Sequence, residues 1–274
     1  MSLHKSRKII SIILTVLIAC GSVLFFGTLI TKATVISESY TSYVFDKVGV
    51  NKNSKEAFAN QIKVLEAQSG IPARVFNSVY NFNDATSKTA VERLFSSSNT
   101  TLSTNSQTDK FERLCKEYLE GNNMQYDEAL IHNTALKATE AYSNCFGMKN
   151  TEQISSFIKN VNAHYQSYLS VGALLFIVPL VLFIILFRRS LDVAFNIFSA
   201  LTLSGLSFVV SGIASLIAKF GLHNITPAIY QQAFYSCVKG ACYISIIFGA
   251  VLTIISVIAN IKITKALDRN NLSK

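Results

Sequence analysis

The residues best suited to chemistry in this chain are its cysteines, beginning with Cys115 and Cys145 in a polar central stretch. In an oxidising compartment such a pair is a candidate disulfide. If their helices form a hairpin around Gly121, Cys145 lies about 20 Å beyond the point opposite Cys115. A disulfide needs Cα atoms within about 7 Å of each other. Two buried thiols are therefore the favoured interpretation, and the disulfide is the alternative.

Cys20 is a candidate for lipid attachment. The segment Leu17-Ile18-Ala19-Cys20-Gly21 resembles the lipobox of bacterial lipoproteins, which implies cleavage before the cysteine and a lipid on its thiol. Lipoproteins usually become polar soon after that cysteine, whereas Val23 to Phe26 remain apolar here. An ordinary membrane-buried cysteine is therefore favoured over lipidation.

Other candidates for catalysis or metal binding are weak. Glu128 and His132 are four residues apart on one predicted helix face and could share a metal ion, but solvated side chains are the favoured interpretation. Cys237 and Cys242 do not have the spacing of the usual metal-binding pairs. The sequence contains no H-E-x-x-H motif, no G-x-S-x-G motif and no phosphate-binding glycine-rich loop. We therefore expect no catalytic residues, no metal, no cofactor and no enzymatic activity.

Charge placement argues against nucleic acid as a partner. The net charge is +9, but residues 32–165 hold 14 acidic and 14 basic residues. The surplus of positive charge lies beside long apolar segments, at Lys5 to Lys8, at Arg188-Arg189 and from Lys262 onwards. That distribution is typical of cytoplasmic loops and tails in membrane proteins.

Four apolar segments are long enough to cross a bilayer, since about 20 helical residues span the hydrocarbon core. All basic clusters lie on one side if residues 1–8 and 264–274 are cytoplasmic. The sequence thus predicts an all-α integral membrane protein with a helical extracytoplasmic domain between its first two spans. The predicted spans are residues 9–31, 168–187, 193–218 and 241–263, with extracytoplasmic segments at 32–167 and 219–240.

The extracytoplasmic domain has a helical pattern almost throughout. Asn53 with Glu56 predicts a capping box, and Gly70 a helix end. Apolar spacing continues without interruption from Thr151 into the second span, so one unbroken helix is expected there. The first span is expected to extend outward as far as Gly49. The remaining predicted helix starts are Ile71-Pro72, Asp84 and Thr108, and residues 96–107 are predicted to be a loop.

Small residues recur at helical spacing in the last two spans. Such stripes let helix backbones approach closely within a bilayer. Packing within the chain is the favoured interpretation, and contact with a second protein is the alternative. In the loop before the fourth span, Thr226-Pro227 predicts the start of a short helix at the membrane interface. The stripe residues are Ser204, Ser207, Ser211 and Ser215, then Ala241, Ser245 and Gly249.

The topology resembles the permease subunit of the cell-division ABC system, with four spans, a large first external loop and a small second one. That resemblance implies a permease that works mechanically with a separate ATPase, although the family's longer cytoplasmic amino-terminal segment has no counterpart before residue 9. The favoured hypothesis is a non-enzymatic protein of a cell envelope whose external domain binds a partner. A receptor acting through a partner protein is a further alternative. The expected partners are the lipid bilayer and another membrane or envelope protein, and the richness in Lys, Asn and Ile favours a bacterial origin.

Overall fold

A computed structural model describes residues 3–80, 85–96, 105–187, 190–218 and 225–272. Within these ranges the chain is almost entirely helical, and the only β-type pairing is an isolated bridge between Lys149 and Thr226. The ten helices are α1 (Leu3–Ala33), α2 (Glu38–Val48), α3 (Val50–Ser69), α4 (Ala73–Val79), α5 (Ala85–Ser96), α6 (Asn105–Gly121), α7 (Glu128–Phe146), α8 (Glu152–Leu186), α9 (Ser190–Ala218) and α10 (Ala228–Leu272).

The chain divides into two compact units. The helical domain comprises residues 38–159 and 221–237, and the membrane unit comprises the remainder. Among the described residues, four helices are long and apolar enough to cross a membrane, over Ser6–Ala33, Glu152–Leu186, Leu191–Ala218 and Ala228–Arg269. The chain is therefore a multi-pass membrane protein, as its apolar segments predict.

The core of the helical domain is built from aromatic rings. Phe58 of α3 is fully buried, and its ring centroid lies 5.6 Å from that of Tyr80 and 5.8 Å from that of Tyr142. Phe111 of α6 packs at 4.7 Å from Phe76 of α4. Aromatic side chains bury large apolar areas, so these contacts fix α3, α4, α6 and α7 around one core.

A polar contact lies at the edge of this core. The hydroxyl oxygens of Tyr80 and Thr139 are 2.7 Å apart, and Thr108 lies 3.1 Å from the same threonine oxygen. Because a buried hydroxyl without a partner is costly, Thr139 stabilises the position of Tyr80 inside the core. Thr108 lies inside α6, which begins at Asn105, so the prediction that Thr108 starts this helix was wrong.

The start of α10 completes the helical domain. Phe45 of α2 packs its ring at 5.9 Å from Tyr230 and 5.0 Å from Phe234. The Tyr230 hydroxyl donates a hydrogen bond to the Phe146 carbonyl oxygen at 3.1 Å. The sequence predicted a separate interfacial helix here, but α10 is continuous from Ala228. One face of its first turns is buried, because Tyr230 and Phe234 pack against α2 and the end of α7.

Two further predictions of helix boundaries differ from the structure. Helix α1 ends at Ala33 and α2 starts at Glu38, with a turn closed by a hydrogen bond from the Ser37 amide to the Thr34 carbonyl. The first span thus does not extend unbroken to Gly49. Gly49 is itself the N-cap of α3, with φ 77°, and the Asn53 side chain donates back to its carbonyl oxygen at 3.1 Å. The Asn53–Glu56 capping box is therefore absent.

Other predicted boundaries agree with the structure. Gly70 is the C-cap of α3, and its amide donates to the Glu66 carbonyl oxygen at 2.9 Å. Helix α8 starts directly after Thr151 and continues to Leu186, as the apolar spacing predicts. Asp84 lies outside the described residues, as do residues 97–104 of the predicted loop.

The loop prediction was wrong at both of its ends, because Ser96 belongs to α5 and residues 105–107 belong to α6.

Polar side chains join helices α1 and α9 of the membrane unit. Ser22 of α1 and Ser204 of α9 are fully buried, and their hydroxyl oxygens share a hydrogen bond. Nearer the amino-terminal ends of the same two helices, the Ser11 hydroxyl donates a hydrogen bond to Asn196 Oδ1 at 2.9 Å. Hydrogen bonds between helices stabilise packing where lipid supplies no hydrophobic driving force.

Glycines set the closest helix approaches in the membrane unit. A Cβ atom on Gly249 of α10 would lie 2.5 Å from the Gly205 carbonyl oxygen of α9, and one on Gly205 would lie 2.7 Å from the Gly249 oxygen. In the same way, a Cβ atom on Gly21 of α1 would lie 2.5 Å from the backbone of Leu175 in α8. No real side chain fits at such distances, so these crossings require glycine.

Candidate functional site

A groove of about 370 Å³ lies between α3 and α7 on the surface of the helical domain. Its volume is near the lower end of the range for ligand pockets, about 300–1,000 Å³. The groove is lined on α3 by Gln61, Val64, Leu65 and Gln68, and on α7 by Lys137, Glu140, Ala141, Asn144 and Cys145.

Helical spacing explains why these residues share one groove. Gln61, Val64 and Gln68 are three and four residues apart, so they form one stripe along α3 beside the core residues Ile62 and Leu65. Lys137, Glu140 and Asn144 have the same spacing along α7. The apolar faces of both helices pack into the core, which places the two stripes along opposite walls of the groove.

The lining combines amide groups with an apolar floor. Gln61, Gln68 and Asn144 each carry a side-chain amide, which has N–H donors and a carbonyl acceptor like a peptide group, and the Asn144 oxygen already accepts a hydrogen bond from Lys149 Nζ at 2.7 Å. Leu65 is 7% exposed at the bottom of the groove, whereas Val64 is 50% exposed at its rim. Lys137 and Glu140 add one charge of each sign. The surface is suited to a protein segment that carries both polar and apolar groups.

The Cys145 thiol lies in the groove but is not activated as a nucleophile. Burial raises the pKa of this thiol. Reactive cysteines need a lowered pKa, because the thiolate is the attacking species. A covalent mechanism at neutral pH is therefore disfavoured at this position.

Cys115 lies in the core of the domain, and both it and Cys145 are free thiols in the structure. Cys115 has no exposed surface, and burial raises its pKa to about 12, with a smaller contribution from the Glu112 carboxylate. Two buried thiols were the favoured interpretation from sequence, whereas the structure has Cys115 buried and Cys145 only half-buried. The disulfide stays a prediction that cysteine labelling can test.

Glu128 and His132, for which a shared metal ion was the alternative to solvated side chains, both contact α6 at the protein surface. His132 Nδ1 lies 2.7 Å from Glu112 Oε1, and Lys116 Nζ lies 2.9 Å from Glu128 Oε1. These two contacts join the α6–α7 hairpin at its surface. Across the described ranges, no group of three or more His, Cys, Asp or Glu residues could hold a metal ion.

The remaining predicted residues lie in the membrane unit. Cys20 is exposed on the side of α1, and its lipidation stays a prediction. Of the small-residue stripes, Ser204 and Gly249 are buried in helix contacts, and Ser211 is exposed. Ser207, Ser215, Ala241 and Ser245 are half-buried. Gly205 and Gly212, which make the close approaches to α10, were missing from the predicted set.

Comparison with protein-family models, with curated proteins and with solved structures found no match to this chain. Its function must therefore be argued from its own geometry. Apart from Cys145, the groove residues were not identified as candidates from sequence, because nothing in the sequence says that α3 and α7 are neighbours. The only sequence feature that marks the groove is a stripe of hydrophilic residues beside the core residues of each helix. On most helices such a stripe simply faces solvent.

Proposed function

We propose that this chain is a non-enzymatic multi-pass protein of a cell envelope whose external helical domain binds a partner protein. The proposed roles are those of an accessory, protection or scaffold protein. The groove between α3 and α7 is the observation that supports this proposal. Its amide walls and apolar floor suit an exposed protein segment, and its thiol has a raised rather than a lowered pKa.

The charge distribution supports an external position for the helical domain. Basic residues flank the apolar helices at Arg7 and Lys8 and again at Lys262 and Lys265, as expected of cytoplasmic ends. The stretch between the first two spans holds equal numbers of acidic and basic residues. In that position the surface of the helical domain lies outside the membrane, where another membrane or envelope protein can bind it.

Purification of the full chain in mild detergent, followed by identification of co-purifying proteins, tests the proposal. Val64→Glu places a charge on the rim of the groove, where Val64 is 50% exposed. Leu136→Glu is the matched control, because Leu136 is 47% exposed on α7 but does not line the groove. We expect the wild type and Leu136→Glu to retain a partner that Val64→Glu loses.

Two results would contradict this proposal. A partner that survives Val64→Glu but is lost from Leu136→Glu would place the binding surface elsewhere. If the chain is purified from its native membrane without a partner under every condition, the proposed binding role is contradicted. Helical content measured by circular dichroism confirms that both variants are folded.

A permease subunit that works mechanically is the second candidate function. Helices α8 and α10 each continue without a break from residues of the helical domain into residues of the membrane unit, which is the continuity that mechanical coupling requires. Co-purification of an ATPase would favour this alternative. A receptor that signals through a partner would instead retain that partner only in the presence of an external ligand.

A further inference from the structure

The lining of the α3–α7 groove indicates which protein covers it, an inference that rests on the proposed function, in which this groove binds a protein. Leu65 forms a buried floor, and six other lining side chains are exposed. The exposed six are Gln61, Val64 and Gln68 on α3, and Lys137, Glu140 and Asn144 on α7.

Helices α3 and α7 run antiparallel along the groove. At one end, the ring of Phe58 on α3 lies 5.8 Å from the ring of Tyr142 and 6.2 Å from that of Phe146, both on α7. From this level the groove continues forwards along α3 as far as Gln68 and backwards along α7 as far as Lys137. The two walls therefore advance in opposite chain directions.

The middle of the groove lies at the same level on both helices. If the Phe58 ring is level with the midpoint between Tyr142 and Phe146, positions 64–65 of α3 lie about 10 Å further along the groove. Positions 138–139 of α7 lie about 8 Å further from the same starting level. The two positions thus face each other to within about 2 Å, which is less than half a helical turn.

The charges on the α7 wall are complementary to those of their own copy. Lys137 and Glu140 are exposed, and neither forms a salt bridge within the part of the chain that the structure describes. An isologous contact between two copies pairs residue i with residue j and residue j with residue i. A two-fold axis that crosses the groove at positions 138–139 therefore brings Lys137 of each copy opposite Glu140 of the other.

The same axis also matches the α3 wall. At positions 64–65 it brings Gln61 of each copy opposite Gln68 of the other, and two side-chain amides can pair because each both donates and accepts hydrogen bonds. Val64, which is 50% exposed, lies next to the axis and so faces the same residue of the second copy. One axis position thus pairs the charges of α7, the amides of α3 and the exposed apolar side chain between those amides.

We propose that the groove binds the groove of a second copy of this chain, in a two-fold contact that lays α7 antiparallel on α7 and α3 antiparallel on α3. A partner of unrelated sequence gives no reason for charges and amides to be spaced evenly about one level of the groove. A second copy does, because each residue then supplies the partner of its symmetry mate. Complementary charges of this kind also fix the register of an interface.

Charge reversal in the full chain tests this contact, with the dimer fraction measured by native mass spectrometry in mild detergent. Lys137→Glu leaves only negative charges at the pairing positions and Glu140→Lys only positive ones, so each variant alone should dimerise about tenfold more weakly than the wild type. The double variant Lys137→Glu/Glu140→Lys exchanges the charges and should dimerise as the wild type does. Lys63→Glu is the matched control, because it reverses an exposed lysine of α3 that does not line the groove.

Mixing the two single variants distinguishes a second copy from any other partner. In a mixed dimer, the negative charges of the Lys137→Glu chain meet the positive charges of the Glu140→Lys chain at both pairing positions. Differently tagged chains of these two variants, co-expressed in one membrane, should therefore co-purify at least as well as two tagged wild-type chains.

Three outcomes would overturn the second copy as the occupant. They are a wild type that stays monomeric, a dimer that every variant retains equally, and mixed single variants that do not co-purify. If the wild type instead retains a different protein that Val64→Glu loses, this inference fails while the proposed function stands. A chain that retains neither a second copy nor another protein contradicts both.

Discussion

The hydroxyl groups of Ser22 on α1 and Ser204 on α9 hydrogen-bond to each other where neither side chain has exposed surface. Each also reaches the Ala19 carbonyl oxygen, Ser22 at 3.0 Å and Ser204 at 3.3 Å. One backbone oxygen and two hydroxyls thus join helices that are far apart in sequence. This contact, the glycine crossing of α9 and α10, and the buried thiol of Cys115 each give a measurable prediction.

Removal of the Ser22–Ser204 contact should destabilise the membrane unit only modestly. Interhelical hydrogen bonds in membrane proteins contribute about 0.6 kcal/mol on average. We expect Ser22→Ala and Ser204→Ala to show a coupling energy of about that size in a double-mutant cycle, measured by denaturation in detergent micelles. Ser211→Ala is the control, because Ser211 is exposed and its hydroxyl donates to the Phe208 carbonyl oxygen of its own helix. Strictly additive effects of the two serine variants would contradict the contact.

Substitution of Gly249 by alanine should force α9 and α10 apart. Its Cβ atom would lie 2.5 Å from the Gly205 carbonyl oxygen and 2.8 Å from Phe208 Cβ. Overpacking of this kind costs about 1–3 kcal/mol. We expect a lower thermal unfolding midpoint by circular dichroism in detergent.

Gly27→Ala is the matched control for that crossing. Its Cβ atom would meet only Phe208 Cε1, at an ordinary 3.7 Å. We expect this variant to keep the wild-type midpoint. If both glycine variants unfolded at the same temperature, the close α9–α10 approach would be refuted.

The two thiols of the helical domain should differ in reactivity. Cys145 is half-buried in the groove, while Cys115 has no exposed surface and a pKa of about 12. At neutral pH we expect a water-soluble maleimide to label Cys145 in the folded protein, and Cys115 only after denaturation. Peptide mass spectrometry identifies the labelled residue, with Cys145→Ser as the control. If the maleimide labels neither residue until a reductant is added, the two cysteines form a disulfide instead.

The helical domain should lose stability in alkali because of the buried Cys115 thiol. Its pKa is raised from 9.0 to about 12 by burial, so the unfolded chain releases this proton at lower pH than the folded chain. The stabilising contribution is complete below pH 9 and is lost as the pH rises towards 12. Between pH 9 and 10 the loss is about 1 kcal/mol.

Cys115→Ala removes that contribution to the pH dependence. We expect its thermal midpoint to fall less steeply than that of the wild type between pH 9 and 10, even though its midpoint at pH 7 is lower. Tyr80, whose pKa is raised from 10.0 to about 12 by burial, adds a further loss above pH 10 in both proteins. Identical slopes for the two proteins below pH 10 would show that Cys115 is not the titrating group.

The sequence predicted the spans well because their signal is local. A run of about 20 apolar residues needs no partner to be recognised, and the spacing from Thr151 onwards identified α8 as one helix. Gly70 ended its helix as predicted, since a helix end depends on a few neighbouring residues.

The errors arose where the outcome depends on distant residues. Phe234 and Tyr230 at the start of α10 contact Phe45 and the Phe146 carbonyl oxygen, and neither of these partners is near α10 in sequence. Asn53 resembled a cap, but α3 starts earlier because Gly49 supplies the left-handed turn before Val50. The groove requires the pairing of α3 with α7, and the glycine crossing requires that of α9 with α10. Spacing along one helix defines a stripe but not the helix opposite it.

The contact between Ser22 and Ser204 also sets an order of events during synthesis. The two residues are 182 positions apart, so at about 5–20 residues per second α1 waits roughly 10–40 s for its partner. During that interval the Ser22 hydroxyl can already bond to the Ala19 carbonyl oxygen of its own helix. The Ser22 hydroxyl therefore has a partner in the bilayer before α9 is made, and docking of α9 adds a second one.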